Sequence, residues 1–194
     1  NSATTATLAG GSGTDTIIIT GGATILLDAD FRGISTMDTL TTTAGNHTFI
    51  TGAKFAASGI KNITFGAGNM NFEAELLTGS AAAPIMLTGF TLNQAADVLD
   101  LGGTAATGDW TSTGWTITNG VYTKAGATVA DFYAAAAADS DTAGEVAAFT
   151  NGGNTYIFGE GGNTNATDDS YVGLIGVVVT SVSATHNTAA LHIE

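Results

Sequence analysis

The chain has 194 residues, and threonine, alanine and glycine together account for 94 of them. Seventeen acidic residues face four basic ones, which gives a net charge of −13. Nucleic-acid binding through phosphates needs clustered lysine and arginine, whereas the four basic residues are scattered singly, so the sequence excludes this class of function. The longest apolar runs cover only a few residues, whereas a membrane span needs roughly 20, so we expect no membrane insertion.

The chain contains no cysteine and one proline. Disulfides, thiol nucleophiles and cysteine-based metal sites are therefore excluded, and glycine, asparagine and threonine must form the turns. No basic segment followed by an apolar stretch comes after Asn1, so no secretory signal peptide is visible. Few lysines with many aspartates and threonines indicate an extracellular protein.

Eight short runs of β-branched and apolar residues, separated by breaks that contain glycine, predict strands of about 4–8 residues. The runs are Thr16–Thr20, Thr24–Leu27, Asp38–Thr43, His47–Ile50, Lys61–Phe65, Met70–Leu77, Ile85–Thr88 and Val98–Leu101. This spacing, with almost no helical periodicity, favours a sandwich or a stacked parallel solenoid. We prefer a Thr/Gly-rich stacked parallel β-solenoid or β-roll-like region, although no repeat of fixed period is apparent.

Two hairpins and one helix are predicted further along the chain. Asn119-Gly120 lies between two alternating runs, which is the pattern of a two-residue hairpin turn. A second hairpin spans 145–158, with a slightly longer glycine-rich loop. Between the hairpins, Thr128 and Asp131 form a capping-box pattern that begins a helix, and the helix should end near Asp139.

The remaining C-terminal residues predict one or two buried strands over Tyr171–Val182 and a short apolar segment, Ala189–Ile193. The predicted fold class is therefore mainly β, with a boundary near residue 125. Residues 1–125 form the Thr/Gly-rich β region, and residues 126–194 form a small α+β cap.

The clearest motif is the stretch from Gly10 to Ile18, which matches the nonapeptide G-G-x-G-x-D-x-U-x of calcium-loaded β-rolls. Gly10, Gly11 and Gly13 let the backbone turn and present carbonyl oxygens, and Asp15 supplies an anionic oxygen. Calcium takes 6–8 oxygen ligands, so a neighbouring turn must complete the site. The alternative interpretation is a tight turn before a strand.

Two further acidic pairs are candidate calcium ligands. Asp28 and Asp30 follow the first nonapeptide closely and could complete its site. Asp168 and Asp169 follow a loop rich in glycine and asparagine, and there the alternative is a solvated turn.

Catalytic patterns are weak, so we expect no enzymatic activity. His47, His186 and His192 lack the spacing of a zinc site. Glu73 and Glu75 would share one face of a strand, but no aromatic sugar platform accompanies this pair, and an exposed strand face explains them.

Two other groups of residues have structural interpretations. Asp97 and Asp100 alternate with apolar residues, as on the solvated face of a strand. Trp110 and Trp115 flank a loop of glycine and threonine, where anchoring in a core is preferred to a ligand platform.

Several segments together resemble the C-terminal part of RTX-type bacterial S-layer proteins and RTX adhesins, which are exported by the type I pathway. The resemblance rests on the nonapeptide 10–18, the phrase 96–101, the helix 129–138, the aromatic strand 154–158 and the acidic turn with apolar strand 168–177.

The resemblance implies a calcium-binding protein of the bacterial cell surface that carries an uncleaved C-terminal secretion signal. Its expected function is that of a surface-layer lattice or assembly module. The expected partners are further copies joined through calcium, the type I secretion apparatus and cell-surface polysaccharide. Two alternatives stay open: an adhesin module that binds glycans or host surfaces, and the export domain of a secreted hydrolase.

Overall fold

The structure is a computed structural model that describes residues 7–74, 81–91, 98–101, 110–140, 145–161, 169–183 and 192–193. These residues form a mainly β protein, as predicted, with one large sheet of nine strands and a second sheet of four. Among the described residues, no helix is long and apolar enough to cross a membrane.

The first ten strands are β1 (Leu8–Ala9), β2 (Thr16–Ile19), β3 (Ala23–Leu26), β4 (Ile34–Ser35), β5 (Thr39–Thr42), β6 (Asn46–Thr51), β7 (Asn62–Thr64), β8 (Met70–Ala74), β9 (Ile85–Thr88) and β10 (Val98–Asp100). The later strands are β11 (Thr116–Thr118), β12 (Val121–Thr123), β13 (Val146–Asn151), β14 (Asn154–Gly159), β15 (Ser170–Ile175), β16 (Val182–Ser183) and β17 (His192–Ile193). The helices are a 3-10 helix (Asp28–Phe31), α1 (Ala53–Ser58) and α2 (Val129–Asp139). Each of the eight strands predicted between residues 16 and 101 is present, with bounds shifted by up to three residues.

Successive strands of the N-terminal region alternate between the two sheets. Strands β2, β5, β7 and β9 are neighbours in the nine-stranded sheet, whereas β3, β6, β8 and β10 form the four-stranded sheet. Every pairing within these two groups is parallel. The connection between consecutive strands therefore leads to the opposite sheet rather than to a hairpin.

A spacing of 23 residues, which the sequence analysis missed, sets the register of these ladders. Thr16 pairs with Thr39, and Thr39 pairs with Asn62 in the large sheet. Ala23 pairs with Asn46 in the small sheet. We call residues 15–37 repeat 1, residues 38–60 repeat 2 and the stretch from residue 61 repeat 3.

The two sheets enclose a common apolar core. Leu40, Ile63 and Leu87 are cross-strand neighbours in the large sheet, and all three are fully buried. Phe49 and Phe72 pair in the small sheet with ring centroids 6.1 Å apart, and they belong to the same cluster. Alternate positions on β5 and β6 point away from this core and carry threonine, which suits a half-solvated pleated surface.

Both hairpins predicted beyond residue 115 are confirmed. Asn119 and Gly120 adopt φ values of 50° and 73° between the antiparallel strands β11 and β12, as a mirror-image turn requires. In the second hairpin Asn151 pairs with Asn154, so its loop is a two-residue Gly-Gly turn and is tighter than predicted.

The predicted helix is also confirmed. In α2, the Thr128 hydroxyl oxygen accepts a hydrogen bond from the Asp131 backbone N–H at 3.2 Å, while the Asp131 carboxylate accepts one from the Thr128 N–H at 2.8 Å. Helix α1, by contrast, was missed. Its six residues are too few to show a periodic pattern, and its N-terminus is held by Asp28 of the preceding repeat.

The boundary predicted near residue 125 falls within one continuous sheet. Strand β12 pairs with β13 across that position, and β15 pairs in parallel with β9, which places Leu174 beside Leu87. Helix α2 covers a second, aromatic cluster in which Phe132 and Phe149 stack at 5.5 Å between ring centroids. The C-terminal elements therefore extend the large sheet beyond β9.

Candidate functional site

The predicted calcium loop is a compact turn beside the start of repeat 2. Gly11 and Gly13 have φ values of 98° and 118°, a region that favours glycine, as expected for a loop that turns its backbone sharply. At Gly10, a Cβ atom would overlap the carbonyl oxygen of Thr36 and the carboxylate of Asp15. The Gly11 N–H donates to the Thr36 hydroxyl at 3.1 Å.

The Asp15 carboxylate has one oxygen that is aimed into this turn. Its Oδ2 is buried and has no hydrogen-bond partner within the part of the chain that the structure describes. The nearest neighbours on that side are the Gly10 backbone and the Thr36 carbonyl oxygen. A buried carboxylate oxygen that lacks a donor is unfavourable, which makes a bound cation a suitable partner for it.

Asp38, which the sequence analysis did not consider as a ligand, lies next to Asp15. It stands at the same position of repeat 2, and its Oδ2 accepts a hydrogen bond from the Asp15 N–H at 2.8 Å. The backbone N–H of Asp38 in turn donates to the Asp15 carbonyl at 3.1 Å. The spacing of 23 residues is the signal that would have identified Asp38. In repeat 3 the equivalent position is Lys61, so the acidic ladder ends after two steps.

Asp28 and Asp30 have hydrogen-bond partners other than the predicted loop. Asp28 Oδ1 accepts from the N–H groups of Lys54 and Phe55 at 2.9 and 2.8 Å, and so it caps the first turn of α1. Asp30 Oδ2 accepts from the Leu27 N–H at 2.9 Å at the start of the 3-10 helix. Both carboxylates therefore satisfy free backbone donors at helix starts.

Asp169 is the third buried acid in a row at adjacent strand ends. Glu145 and Glu160 lie one residue beyond the pair Val146–Gly159, and the Glu160 N–H donates to the Glu145 carbonyl at 2.8 Å. Asp169 lies one residue before Ser170, which pairs with Gly159. All three acids are at most 5 % exposed. The sequence analysis missed the two glutamates, whose only signal is their place at the ends of the second hairpin.

Hydroxyl groups surround this acidic row. Ser140 Oγ donates to Glu160 Oε2 at 2.7 Å, and the Tyr171 hydroxyl donates to Asp169 Oδ2 at 3.2 Å. Burial, followed by the neighbouring Asp169 carboxylate, raises the pKa of Tyr171 to about 12. Asp168 lies outside the described residues. Within those residues, no group of three or more His, Asp or Glu side chains is arranged to hold a metal ion.

The two tryptophans belong to the aromatic cluster beneath α2, which favours the anchoring interpretation. Both are half-buried, and Trp110 and Trp115 lie edge-on to Tyr122 at 5.8 and 5.5 Å between centroids. The Lys124 ammonium lies 5.3 Å from the centroid of the Trp115 ring, a cation–π distance.

A polar node ties this cluster to the end of α2. Asp139 accepts hydrogen bonds from the Tyr122 hydroxyl at 2.9 Å and from the backbone N–H groups of Thr111 and Ser112 at 2.6 and 2.9 Å. Partial burial opposes ionisation of Asp139, but these hydrogen bonds outweigh it and hold its pKa below the usual range.

The other residues considered for catalysis have structural surroundings. His47 is 1 % exposed, and its Nε2 lies 2.9 Å from the Thr43 carbonyl oxygen. Glu73 Oε1 accepts from the Asn71 side-chain amide at 2.6 Å on a half-buried face of β8 rather than on a fully exposed one. Asp100 ends β10, whereas Glu75, Asp97 and His186 lie outside the described residues, as does the side chain of His192.

Comparison with known proteins adds no relative. No protein-family model, curated protein or solved structure matches this chain. The resemblance to RTX-type surface proteins therefore stays a prediction, and any functional conclusion must rest on the geometry described above.

Proposed function

We propose that this chain is a structural, calcium-stabilised assembly module of an extracellular bacterial surface protein. The observation that carries the proposal is the pair of parallel ladders with a common spacing of 23 residues. Such ladders are the pairing pattern of a stacked β-solenoid or β-roll-like array, in which each repeat rests on its neighbour. An array of this kind supplies a rigid body with open ends, which suits assembly more than catalysis.

The solenoid interpretation has a direct covalent test. Thr41 and Thr64 are Cα partners on neighbouring strands, and their side chains share the outer face. The double variant Thr41→Cys/Thr64→Cys should form a disulfide under mild oxidation. The control pair Thr41→Cys/Thr48→Cys places the cysteines on different sheets and should stay reduced. Equal crosslinking of both pairs would contradict the stacked arrangement.

Calcium is the proposed cofactor because Asp15 and Asp38 are placed together by adjacent repeats. The buried Asp15 Oδ2, the Thr36 carbonyl and the glycine-rich turn supply oxygen chemistry that suits this cation. A net charge of −13 also disfavours the compact state through self-repulsion, which a bound divalent cation relieves.

Thermal unfolding with and without calcium tests this role. A ligand that binds only the native state raises the melting temperature by mass action, so millimolar calcium should raise it and a chelator should lower it, with magnesium less effective. Asp15→Asn should remove most of the calcium effect. Asp131→Asn, which removes an acid at the start of α2, is the control and should leave the calcium response intact. Superimposed melts with calcium and chelator would refute the calcium site.

Assembly itself is tested by light scattering and electron microscopy of the chain with and without calcium. We expect calcium to promote ordered, sheet-like association, because cation bridges offset the repulsion between acidic copies. A chain that stays dispersed in calcium at high concentration, and that instead binds a glycan or a host surface, would favour the adhesin alternative.

One observation favours that alternative as a second candidate. A shallow depression of about 440 Å³ lies beside the second hairpin, lined in part by Thr123, Lys124, Phe149 and Asn151. Lys124 also covers the half-buried Trp115 ring, so an aromatic face and polar groups adjoin. Glycan-array binding that is lost in Lys124→Ala and Asn151→Ala would support the adhesin function.

A further inference from the structure

The apolar side chains that the fold leaves in solvent are concentrated at one end of the ladders. Of the five large hydrophobic residues that are strongly exposed in the described chain, four belong to the N-terminal strands and their flanks. They are Leu8 at 50 %, Ile18 at 62 %, Ile25 at 67 % and Leu27 at 45 % exposure. Strand β2 ends the nine-stranded sheet and β3 ends the four-stranded sheet, so we call β2 and β3 with their flanking residues the repeat-1 end.

Comparison along the ladder shows that these isoleucines are specific to the repeat-1 end. Ile18 pairs with Thr41 on the outer face of the large sheet, and Ile25 pairs with Thr48 on that of the small sheet. The inner repeats therefore place threonine where the terminal repeat places isoleucine. A terminal strand that merely faces water would be expected to show the opposite trend, because exposed edges are usually blunted with polar or charged residues.

The inward-facing side of the same strands is also incompletely covered. Ile17 continues the ladder of Leu40 and Ile63, yet Ile17 is only half-buried, whereas the other two are fully buried. Gly45 lies in tight contact with the carbonyl of Gly22. Gly22 is the equivalent residue of repeat 1, and a Cβ atom added to it would meet no heavy atom within 4 Å, so another backbone can approach it closely.

The charges at the repeat-1 end permit contact between two copies of this acidic chain. Strands β2 and β3 contain no charged residue and no proline. The nearby carboxylates of Asp28 and Asp30 are directed to backbone N–H groups of the 3-10 helix and α1. The repulsion expected from a net charge of −13 is therefore not focused on these strands.

The area is also of the right order for a dimer. The four exposed side chains present about 400 Å², at the scale of the largest apolar patches on monomers, which are often functional. Covering Ile17, Ile19 and Leu26 and the two strand edges as well approaches the roughly 800 Å² per partner of a stable interface.

We propose that the repeat-1 end is a docking surface for a second copy of this chain. The inference rests on the proposed assembly function and names the surface used. In the large sheet, the edge of β9 opposite β7 is already occupied by β15, so copies cannot stack head to tail through that sheet. Each copy therefore offers the same end, and a two-fold axis brings β2 against β2 of its partner in antiparallel pairing.

The experiment measures the molar mass of the chain by light scattering and sedimentation from dilute to concentrated samples, with and without calcium. The wild-type chain should form a dimer as concentration rises, and added salt should strengthen it by screening the negative charge. The variant Ile18→Lys/Ile25→Lys should be monomeric. The control Thr88→Lys adds the same charge to an exposed outer-face position on β9 and should leave the dimer intact.

A second variant guards against misfolding. Ile18→Thr/Ile25→Thr copies the residues of repeat 2, so it keeps the strand preference and should also weaken the dimer without lowering the melting temperature. A dimer that survives both double variants, or a wild-type chain that stays monomeric throughout, would overturn the proposal; the second result would leave the edge to a further repeat of a longer polypeptide. Calcium-driven assembly that persists in the double variants would overturn the docking surface while retaining the proposed function. A dimer that forms equally in chelator would support the docking surface and remove calcium from the function.

Discussion

Substitution of Gly45 by alanine probes the packing between repeats. A Cβ at this position would overlap the carbonyl group of Gly22, and the φ of 152° at Gly45 is one that side chains rarely adopt. The backbone strain costs about 1–3 kcal/mol. The overlap involves backbone on both sides, so relief requires separation of β3 from β6, which adds about 1–3 kcal/mol on the scale of overpacked cores.

The expected loss is therefore about 2–6 kcal/mol, a large part of the roughly 5–15 kcal/mol that stabilises a typical protein. For a chain of this size, a loss of about 4 kcal/mol lowers the melting temperature by roughly 8–16 °C. Denaturant titration and calorimetry measure both quantities.

The matched control is Gly22→Ala, because Gly22 occupies the same ladder position with open space around it. Its unfolding free energy should stay within about 0.5 kcal/mol of the wild type. Gly68→Ala, which meets the carbonyl of Gly45, should resemble Gly45→Ala. If Gly45→Ala unfolds no more easily than Gly22→Ala, the stacking of repeats described above is incorrect.

Three further predictions concern caps and buried polar groups. Asp28→Ala should cost about 1 kcal/mol in denaturant titration, because two N–H groups at the start of α1 lose their acceptor; an unchanged midpoint would contradict that role. The folded-state pKa of Asp139 is depressed, so its contribution is present above the unfolded pKa of about 3.9 and is lost as the pH falls through the folded value; wild-type stability should therefore decline more steeply than that of Asp139→Asn in acid titrations. The raised pKa of Tyr171 means that its contribution is complete below the unfolded pKa of about 10 and is lost as the pH rises through about 12, and replacement by phenylalanine should reduce this alkaline loss in melts followed against pH.

The local elements could be predicted from the sequence because their signals are short-range. Asn119-Gly120 supplies the positive φ values that a two-residue turn needs, and Thr128 with Asp131 supplies both hydrogen bonds of a capping box. The alternating runs set which residues face the core, so Leu40 and Ile63 are buried where the pattern places them. These features depend on residues within a few positions of one another.

The pairing of strands was decided by tertiary structure. The sequence shows glycine at positions 22, 45 and 68, but the meaning of that spacing becomes clear only when Gly45 and Gly68 are seen against the carbonyls of the preceding repeat. Helix α1 likewise depends on Asp28, which is distant in sequence and reaches the helix only once the repeats stack.

The candidate calcium site divides in the same way. The sequence by itself determined the glycine-rich turn and Asp15, because backbone conformation and ligand chemistry are encoded locally in the nonapeptide. The placement of Asp38 beside Asp15, and the use of Asp28 and Asp30 as caps, follow from contacts that form only in the folded chain, those of Asp15 and Asp28 reaching residues 23 to 27 positions away. A carboxylate's role depends on which donors or cations surround it, and its neighbours across the ladder are fixed only when the strands have found their register.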